Sequence, residues 1–365
     1  MRVAFLLGGF NGKGGIGRAV ATLADCLAKE DGIEVFTVSY ASEEAENAYA
    51  PAAAVRRLSL GFDRVSMLSA MLRKHAVAGL SSIIQENNIE IIIPCGALFF
   101  PLALLCAKRC RIKCICCEHT SPQVESDYRF QSLGRKAAIH KADRIVVLTK
   151  AAQQYYVDVL GARPEKTEQI YNILERNAAQ SAAYDIDSKK IISVGRLSYP
   201  KNFERLIRLA QPILREHPDW CWDIYGEGEL HDALQTQIDG CGLSGRLTLK
   251  GNDSRLYSRY GNYAFCVMTS RYEGFPMSLL EAAANRLPLV AFDVPTGPAE
   301  IISDGKNGFL VPDDDGAMNE RILQLIGSGE LRKQQSDAAY QTSLFFTPER
   351  IIPQWRSLLQ RVGEN

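Results

Sequence analysis

Short runs of consecutive apolar residues, each followed by a turn and then by a segment of helix-forming composition, recur along this chain. The runs are Arg2–Leu7, Ile33–Ser39, Ile89–Pro94, Ile112–Glu118 and Arg144–Thr149, then Lys190–Val194, Cys221–Tyr225, Arg246–Lys250, Ala264–Met268 and Leu289–Phe292. Runs of this length without polar alternation are strands covered on both faces, and the helical segments between them are the crossovers a parallel sheet requires. An α/β architecture is predicted. At 365 residues the chain exceeds what one core usually organises, and a polar, alanine-rich stretch interrupts the alternation once. The expected organisation is a first domain over 1–170, a hinge over 171–188, a second domain over 189–346, and a terminal helical segment over 347–365 that crosses back to the first domain.

Within the second series, residues 271–285 read Arg-Tyr-Glu-Gly-Phe-Pro-Met-Ser-Leu-Leu-Glu-Ala-Ala-Ala-Asn. The strand before them and a helix predicted over Met277–Ala284 place this stretch on a strand–loop–helix corner. Glu273 lies in the loop, and Glu281 follows after eight residues. At roughly 100° per residue, eight helical steps return a side chain to within about 80° of its starting direction. Gly274 lets a ligand approach the backbone, Pro276 fixes the turn into the helix, and amides near Phe275, Met277 and Ser278 suit an anion or a hydroxyl. A pair of this kind is often a solvated loop Glu and a helix-surface Glu. Glu281, however, is the lone charge of an apolar helix, which favours function.

Other strand ends carry residues of similar promise. Gly195-Arg196-Leu197-Ser198-Tyr199-Pro200-Lys201-Asn202 sets two cations in a loop, where together they can neutralise a diphosphate without a metal. Gly226 and the pair Gly251-Asn252 end the next two strands, and their backbone suits a nucleobase or ribose. His119 stands after the strand ending in Glu118, at the edge where open α/β sheets bind ligands. Gly12, Gly14 and Gly17 spell G-x-G-x-x-G, but too far from the first strand for a dinucleotide fingerprint, and the second strand ends in Ser-Tyr without a ribose-binding acid. Lys13 is not followed by Ser or Thr, which excludes a P-loop.

Composition narrows the function further. Lys plus Arg equals Asp plus Glu at 42 each, so a dedicated nucleic-acid binder is not expected. The charge is divided unevenly: residues 1–170 hold 21 basic and 17 acidic side chains, the remainder 21 and 25. Cys95, Cys106, Cys110, Cys114, Cys116 and Cys117 cluster, yet their spacing matches no zinc signature and they fall on strand and helix patterns. They read as reduced core residues, and no metal site is expected. Met1–Leu7 is too short for a signal peptide, and no stretch reaches the roughly 18 apolar residues that span a bilayer. A cytoplasmic protein is expected. A basic amphipathic helix predicted from Val65 to Asn87, which bears Arg73-Lys74, and the separate basic segments Lys108-Arg109-Arg111 and Arg135-Lys136 suggest peripheral contact with an anionic membrane face.

The stretch around Glu273 and Glu281 closely resembles the carboxylate pair of family-4 retaining glycosyltransferases of the GT-B fold, down to the Glu-Gly-Phe core, the proline and the small-residue helix. That resemblance implies two Rossmann-like domains whose parallel sheets face a central cleft, and a metal-independent enzyme with a nucleotide sugar as co-substrate and no other cofactor. It assigns Glu273, Gly274 and the following amides to the donor sugar, Glu281 to the ribose hydroxyls, and Arg196 and Lys201 to the diphosphate. Gly14, Gly15 and Gly17 would face the donor diphosphate and the acceptor, His119 the donor sugar, and the backbone after Gly251 the base. Thr296-Gly297-Pro298-Ala299-Glu300 is similar to a loop of enzymes that build surface polysaccharides. It points to a UDP-sugar carrying a hexose or N-acetylhexosamine, and the basic excess of residues 1–170 points to a lipid-linked or cell-envelope saccharide acceptor at a membrane face. Rival readings are an epimerase or phosphorylase of the same fold, a dinucleotide-dependent oxidoreductase, and a non-enzymatic sugar-nucleotide sensor. The first lacks the acid–base pair or cofactor lysine, the second the ribose acid, and the third would not need both carboxylates and both cations.

Overall fold

The computed structural model describes residues 1–10, 15–42, 51–62, 74–123, 129–180, 183–253 and 255–364. These residues form two compact units: Met1–Ile173 together with the terminal helix Pro348–Gly363, and Leu174–Thr347.

In the first unit seven parallel strands run in the order β3-β2-β1-β4-β5-β6-β7. They are β1 Arg2–Leu7, β2 Glu34–Ala41, β3 Arg56–Phe62, β4 Ile91–Pro94, β5 Lys113–Glu118, β6 Arg144–Val147 and β7 Thr167–Gln169. Side chains alternate between the faces of a strand, so β1 supplies two cores at once. Ala4 and Leu6 pack among residues of helices Lys74–Glu86 and Phe100–Cys110, whereas Val3, Phe5 and Leu7 pack with helix Gly15–Leu27. The terminal helix belongs to the second of these cores. Ile351, Trp355, Leu358 and Leu359 are buried there, with Trp355 edge-on to Phe5 at 6.4 Å.

The second unit holds six parallel strands in the order β10-β9-β8-β11-β12-β13. These are β8 Lys190–Val194, β9 Cys221–Tyr225, β10 Leu247–Gly251, β11 Phe265–Met268, β12 Leu289–Phe292 and β13 Gly308–Val311. The sheet order reverses between β1 and β4 in one unit and between β8 and β11 in the other. At such a reversal the neighbouring loops diverge and leave a crevice at the carboxyl ends of the strands, where ligands bind in α/β sheets.

The described residues of the polar stretch 174–188 are fastened within the second unit. Leu174 N donates to Phe346 O at 2.8 Å, Asn285 bonds both Ala178 O and Gln180 N, and Tyr184 donates to Ala264 O at 2.6 Å.

Several elements differ from the sequence expectation. Strand β3 was not expected, because Arg-Arg-Leu-Ser-Leu-Gly-Phe has no apolar run. It is an edge strand whose residues are exposed or half-buried. The helix predicted over Val65–Asn87 is observed as Lys74–Glu86, and its earlier part lies outside the described residues. Helices Asp315–Gly327 and Gly329–Ser343 were not foreseen either; Asp314 and Ser328 cap them by accepting from Ala317 N and Leu331 N. The cysteines of β5 are buried strand residues, as their pattern predicts.

Candidate active site

In the second unit, the loops after β8 and β11 flank the reversal of strand order. Thr269 and Ser270 follow β11 directly and are buried. The Ser270 hydroxyl donates to Glu273 Oε1 at 2.6 Å, which turns the carboxylate back toward the strand end. Lys201, from the loop after β8, reaches the same oxygen at 2.5 Å. The two loops are therefore joined by an ion pair whose side chains are 22% and 10% exposed. Water screens this pair less than a surface pair, so its charges attract more strongly, while removing them from water also costs more. The Thr269 hydroxyl donates to the carbonyls of Lys201 and Asn202 at 3.2 Å, holding the cation's backbone to β11.

A third loop completes the corner. Thr296 donates to the carbonyl of Glu273. Gly297, at φ +104°, lies so close that a Cβ there would sit 2.8 Å from Pro276 Cδ and 3.0 Å from Glu273 Cβ. Only glycine permits both that backbone angle and that approach. Phe275 turns inward against Phe346 with ring centroids 5.5 Å apart, so backbone rather than ring is what this residue can present to a ligand. Pro276 is the N-cap of helix Met277–Ala284 and provides no side-chain cap, which leaves the first-turn amides of Met277 and Ser278 as anion-seeking groups.

Glu281 lies on that helix among Leu279, Leu280 and Ala282–Ala284 and is 2% exposed. Its Oε2 accepts from the Tyr260 hydroxyl at 3.3 Å. It is thus an interior carboxylate and not a helix-surface residue. Arg196 is in contrast largely exposed and pairs with Glu229 at 3.0 Å. Gly226 and Gly251 are joined by a 2.9 Å backbone bond at the ends of β9 and β10, with Asn252 exposed beside them. The close neighbour of Gly226 is protein backbone, since a Cβ there would lie 1.9 Å from Gly195 O. A Cβ at Gly228 would likewise fall 2.2 Å from Leu197 O. These glycines fit the β9 loop against the loop that carries Arg196 and Lys201.

In the first unit, His119 follows β5 and is half-buried. With Cys117 it lines a small pocket that includes Ala19, Leu23, Leu148 and Trp355. Its Nε2 is 3.4 Å from Cys117 Sγ. Burial disfavours the imidazolium, but Cys117 and then Glu118 outweigh it and hold the His119 pKa above its ordinary value. The Cys117 thiol is drawn down to about 6, first by the hydrogen bond from Cys95 and then by His119, against the effect of burial. Gly15 opens the first helix with no atom near its missing side chain, and Gly17 packs against Gly9 O and Phe10. Gly14 lies outside the described residues.

Sequence reasoning missed the groups around His119. Arg135, read as part of a basic membrane face, is instead 6% exposed and donates through Nε to Glu118 Oε2 at 2.7 Å. Gly134 explains this placement: a Cβ there would fall 2.0 Å from Ala97 O, so the helix presses onto that turn and carries Arg135 inside. The glycine was the available signal.

Two family models cover the chain almost end to end. The one described as "Glycosyltransferase Family 4" matches residues 13–177, and "Glycosyl transferases group 1" matches residues 175–342. The amylovoran biosynthesis glycosyltransferase AmsD of Erwinia amylovora is 32% identical over 269 residues, which are 70% of this chain and 73% of that protein. An N-acetylgalactosamine-N,N'-diacetylbacillosaminyl-diphospho-undecaprenol 4-alpha-N-acetylgalactosaminyltransferase of Campylobacter jejuni is 32% identical over 231 residues, 61% of this chain and 62% of the enzyme. In three dimensions the chain resembles Anabaena HepE, crystallised with UDP and glucose, at a TM-score of 0.82 and 19% identity over 99% of each chain. The two parallel α/β units and the relationship to AmsD lead to one conclusion: the chain belongs to the family-4-type glycosyltransferases of the GT-B fold.

Proposed function

We propose that this glycosyltransferase is a retaining enzyme that moves a hexose or N-acetylhexosamine from a UDP-sugar to a saccharide acceptor of a lipid-linked or cell-envelope glycan. Residues 189–346 take the donor, and residues 1–170 the acceptor. The observation that carries this reading is the Lys201–Glu273 pair at the sheet reversal, beside Arg196 and the uncapped helix that bears Glu281. A nucleoside diphosphate offers Lys201 a more highly charged partner than one carboxylate. On binding, Lys201 turns to the phosphate oxygens and Glu273 is released to accept a sugar hydroxyl.

Departure of the diphosphate builds negative charge on its oxygens, and groups aimed there lower the barrier because they bind the transition state more tightly than the ground state. Lys201, Arg196 and the amides of Met277 and Ser278 suit this task, and they replace the charge that other enzymes take from a divalent cation. Glu281 holds the ribose. Transfer with retention then follows from attack on the face the diphosphate leaves, with a departing phosphate oxygen taking the acceptor's proton.

The names of the Campylobacter relative, which refers to a diphospho-undecaprenol acceptor, and of the HepE complex with UDP support these choices of acceptor and nucleotide. So does the surface of the first unit. Helices Phe100–Cys110 and Arg129–Lys141 contain no Asp or Glu, expose Lys108, Arg109 and Lys136, and leave Leu105, Phe130 and Leu133 between 41% and 58% exposed. Cations beside exposed apolar side chains suit the cytoplasmic face of an anionic membrane.

A thermal-unfolding panel of sugar nucleotides in chelating buffer tests the donor. A UDP-hexose or UDP-N-acetylhexosamine is expected to raise the unfolding temperature, because a ligand stabilises in proportion to RT ln(1 + [L]/Kd). Protection by GDP-mannose and by no UDP-sugar would overturn the assignment. Product NMR then reports whether the anomeric configuration is kept.

A further inference from the structure

Glu118, Thr120, Arg135 and Tyr156 form a closed polar network around the chain segment that carries His119. Glu118 is 1% exposed and both of its oxygens are engaged. Oε1 accepts from Thr120 N at 3.1 Å and from Thr120 Oγ1 at 2.7 Å, so the side chain of Glu118 ties down the backbone two residues ahead. Oε2 accepts from Arg135 Nε at 2.7 Å and from the Tyr156 hydroxyl at 3.0 Å. Arg135 Nη2 donates to Thr120 Oγ1 at 3.0 Å, which closes the ring. His119 is the residue at the apex, with both neighbours fixed and its own Nε2 against Cys117.

Stability gives no reason for this arrangement. A buried ion pair seldom exceeds the desolvation it costs, and apolar side chains of similar volume would fill the space as well. What such a network does supply is a single geometry, since each of its members has few alternative partners. Helices Arg129–Lys141 and Lys150–Asp158 deliver Arg135 and Tyr156 to one strand end, and that strand end bears the half-buried histidine of the first unit.

We propose that Glu118, Thr120, Arg135 and Tyr156 are a positioning unit that fixes the orientation of the His119 ring at the carboxyl edge of the first unit's sheet. The inference rests on the reading of His119 as a sugar contact. The two are separable by experiment. Thr120→Val keeps the shape but removes the hydroxyl shared by Glu118 and Arg135, and Tyr156→Phe removes one donor. Both are compared with His119→Ala and with the double variant Thr120→Val/His119→Ala, by UDP-N-acetylglucosamine hydrolysis and by ring NMR of His119.

Displacing a reacting group by about 1 Å costs up to about 100-fold in rate. Thr120→Val is therefore expected to lower kcat about 10- to 100-fold with KM nearly unchanged, to lower the unfolding temperature because Arg135 Nη2 loses its acceptor, and to have no further effect on kcat once His119 is Ala. The ring signals of His119 should move or broaden in Thr120→Val while those of the other four histidines stay in place. An equal loss in the presence and absence of His119 would make the network merely structural and overturn the proposal. Unmoved His119 signals would also overturn it, and they can be read without any turnover. If His119→Ala itself hydrolyses the donor at the wild-type rate, the reading of His119 fails, and the positioning role falls with it.

Discussion

Cys117 and His119 show how one residue sets another's chemistry. Burial alone lowers the pKa of an imidazole, and the raised value of His119 depends on Cys117 first and Glu118 second. Cys117→Ala removes the larger raising influence and keeps the burial. The protonation midpoint of His119 should then fall, so that the imidazolium is lost at a lower pH than in the wild type. Ring NMR against pH measures this directly, and an unchanged or higher midpoint would refute the pairing. The charged pair itself spans the window from about pH 6, below which Cys117 takes up a proton, to the raised value of His119. The places of His119, Glu273 and Lys201 in the loops that follow strands were legible in the sequence, and the resemblance to family 4 is what singled them out as candidates. Arg135 and Tyr156 were not. A basic or phenolic residue on a helix gives no sign of which face is inward, and the decisive clue was the neighbouring Gly134 and its contact with Ala97 O.

At the level of elements, the donor unit depends on loops packed without side chains between them. A Cβ at Gly228 would meet Leu197 O at 2.2 Å, and one at Gly226 would meet Gly195 O at 1.9 Å. In both cases the obstacle is backbone, which cannot rotate aside. Gly228→Ala should cost at least the roughly 1–3 kcal/mol of an overpacked core and weaken nucleotide binding, because the displaced loop carries Arg196 and Lys201. Gly15→Ala, with open space at its Cβ, should leave stability within about 1 kcal/mol of the wild type. Urea unfolding of the two variants checks this, and equal midpoints would show that the β9 loop is free to relax. Most strands of both sheets were legible because continuous apolar runs admit few other interpretations, but β7 Thr167–Gln169 and β13 Gly308–Val311, which are only three and four residues long, were not expected. Strand β3 escaped detection, since an edge strand buries little and its sequence reads as polar coil. Helix Phe203–Glu216 continues through Pro212, because Ile213 and Leu214 extend its buried face.

For the whole molecule, no helix among the described residues is long and apolar enough to cross a membrane. The proposed membrane contact uses the surface of the first unit. The structure revises which residues belong to it: Arg135 is interior, Arg73 lies outside the described residues, and Lys108, Arg109 and Lys136 are exposed. Each exposed cation contributes about 1 kcal/mol near an anionic surface. Charge reversal at Lys108, Arg109 and Lys136 should therefore abolish sedimentation with anionic vesicles at low salt. Undiminished sedimentation of that variant would show that these cations are not the contact, and failure of the wild type to sediment would remove the membrane from the account. The GT-B class was legible in the sequence through the two strand series and the Glu273–Glu281 stretch, whereas acceptor chemistry depends on surfaces that leave no periodic trace. The central claim is that the sheet reversal of the second unit is a nucleoside-diphosphate site built from Lys201, Arg196 and Glu281. Calorimetric titration of UDP in chelating buffer tests it most directly. The wild type should bind one UDP, and Glu281→Ala should lose about 2–5 kcal/mol of that affinity, the cost of truncating one partner of a buried charged hydrogen bond. Absence of binding to the wild type, or equal affinity in Glu281→Ala, would contradict the account.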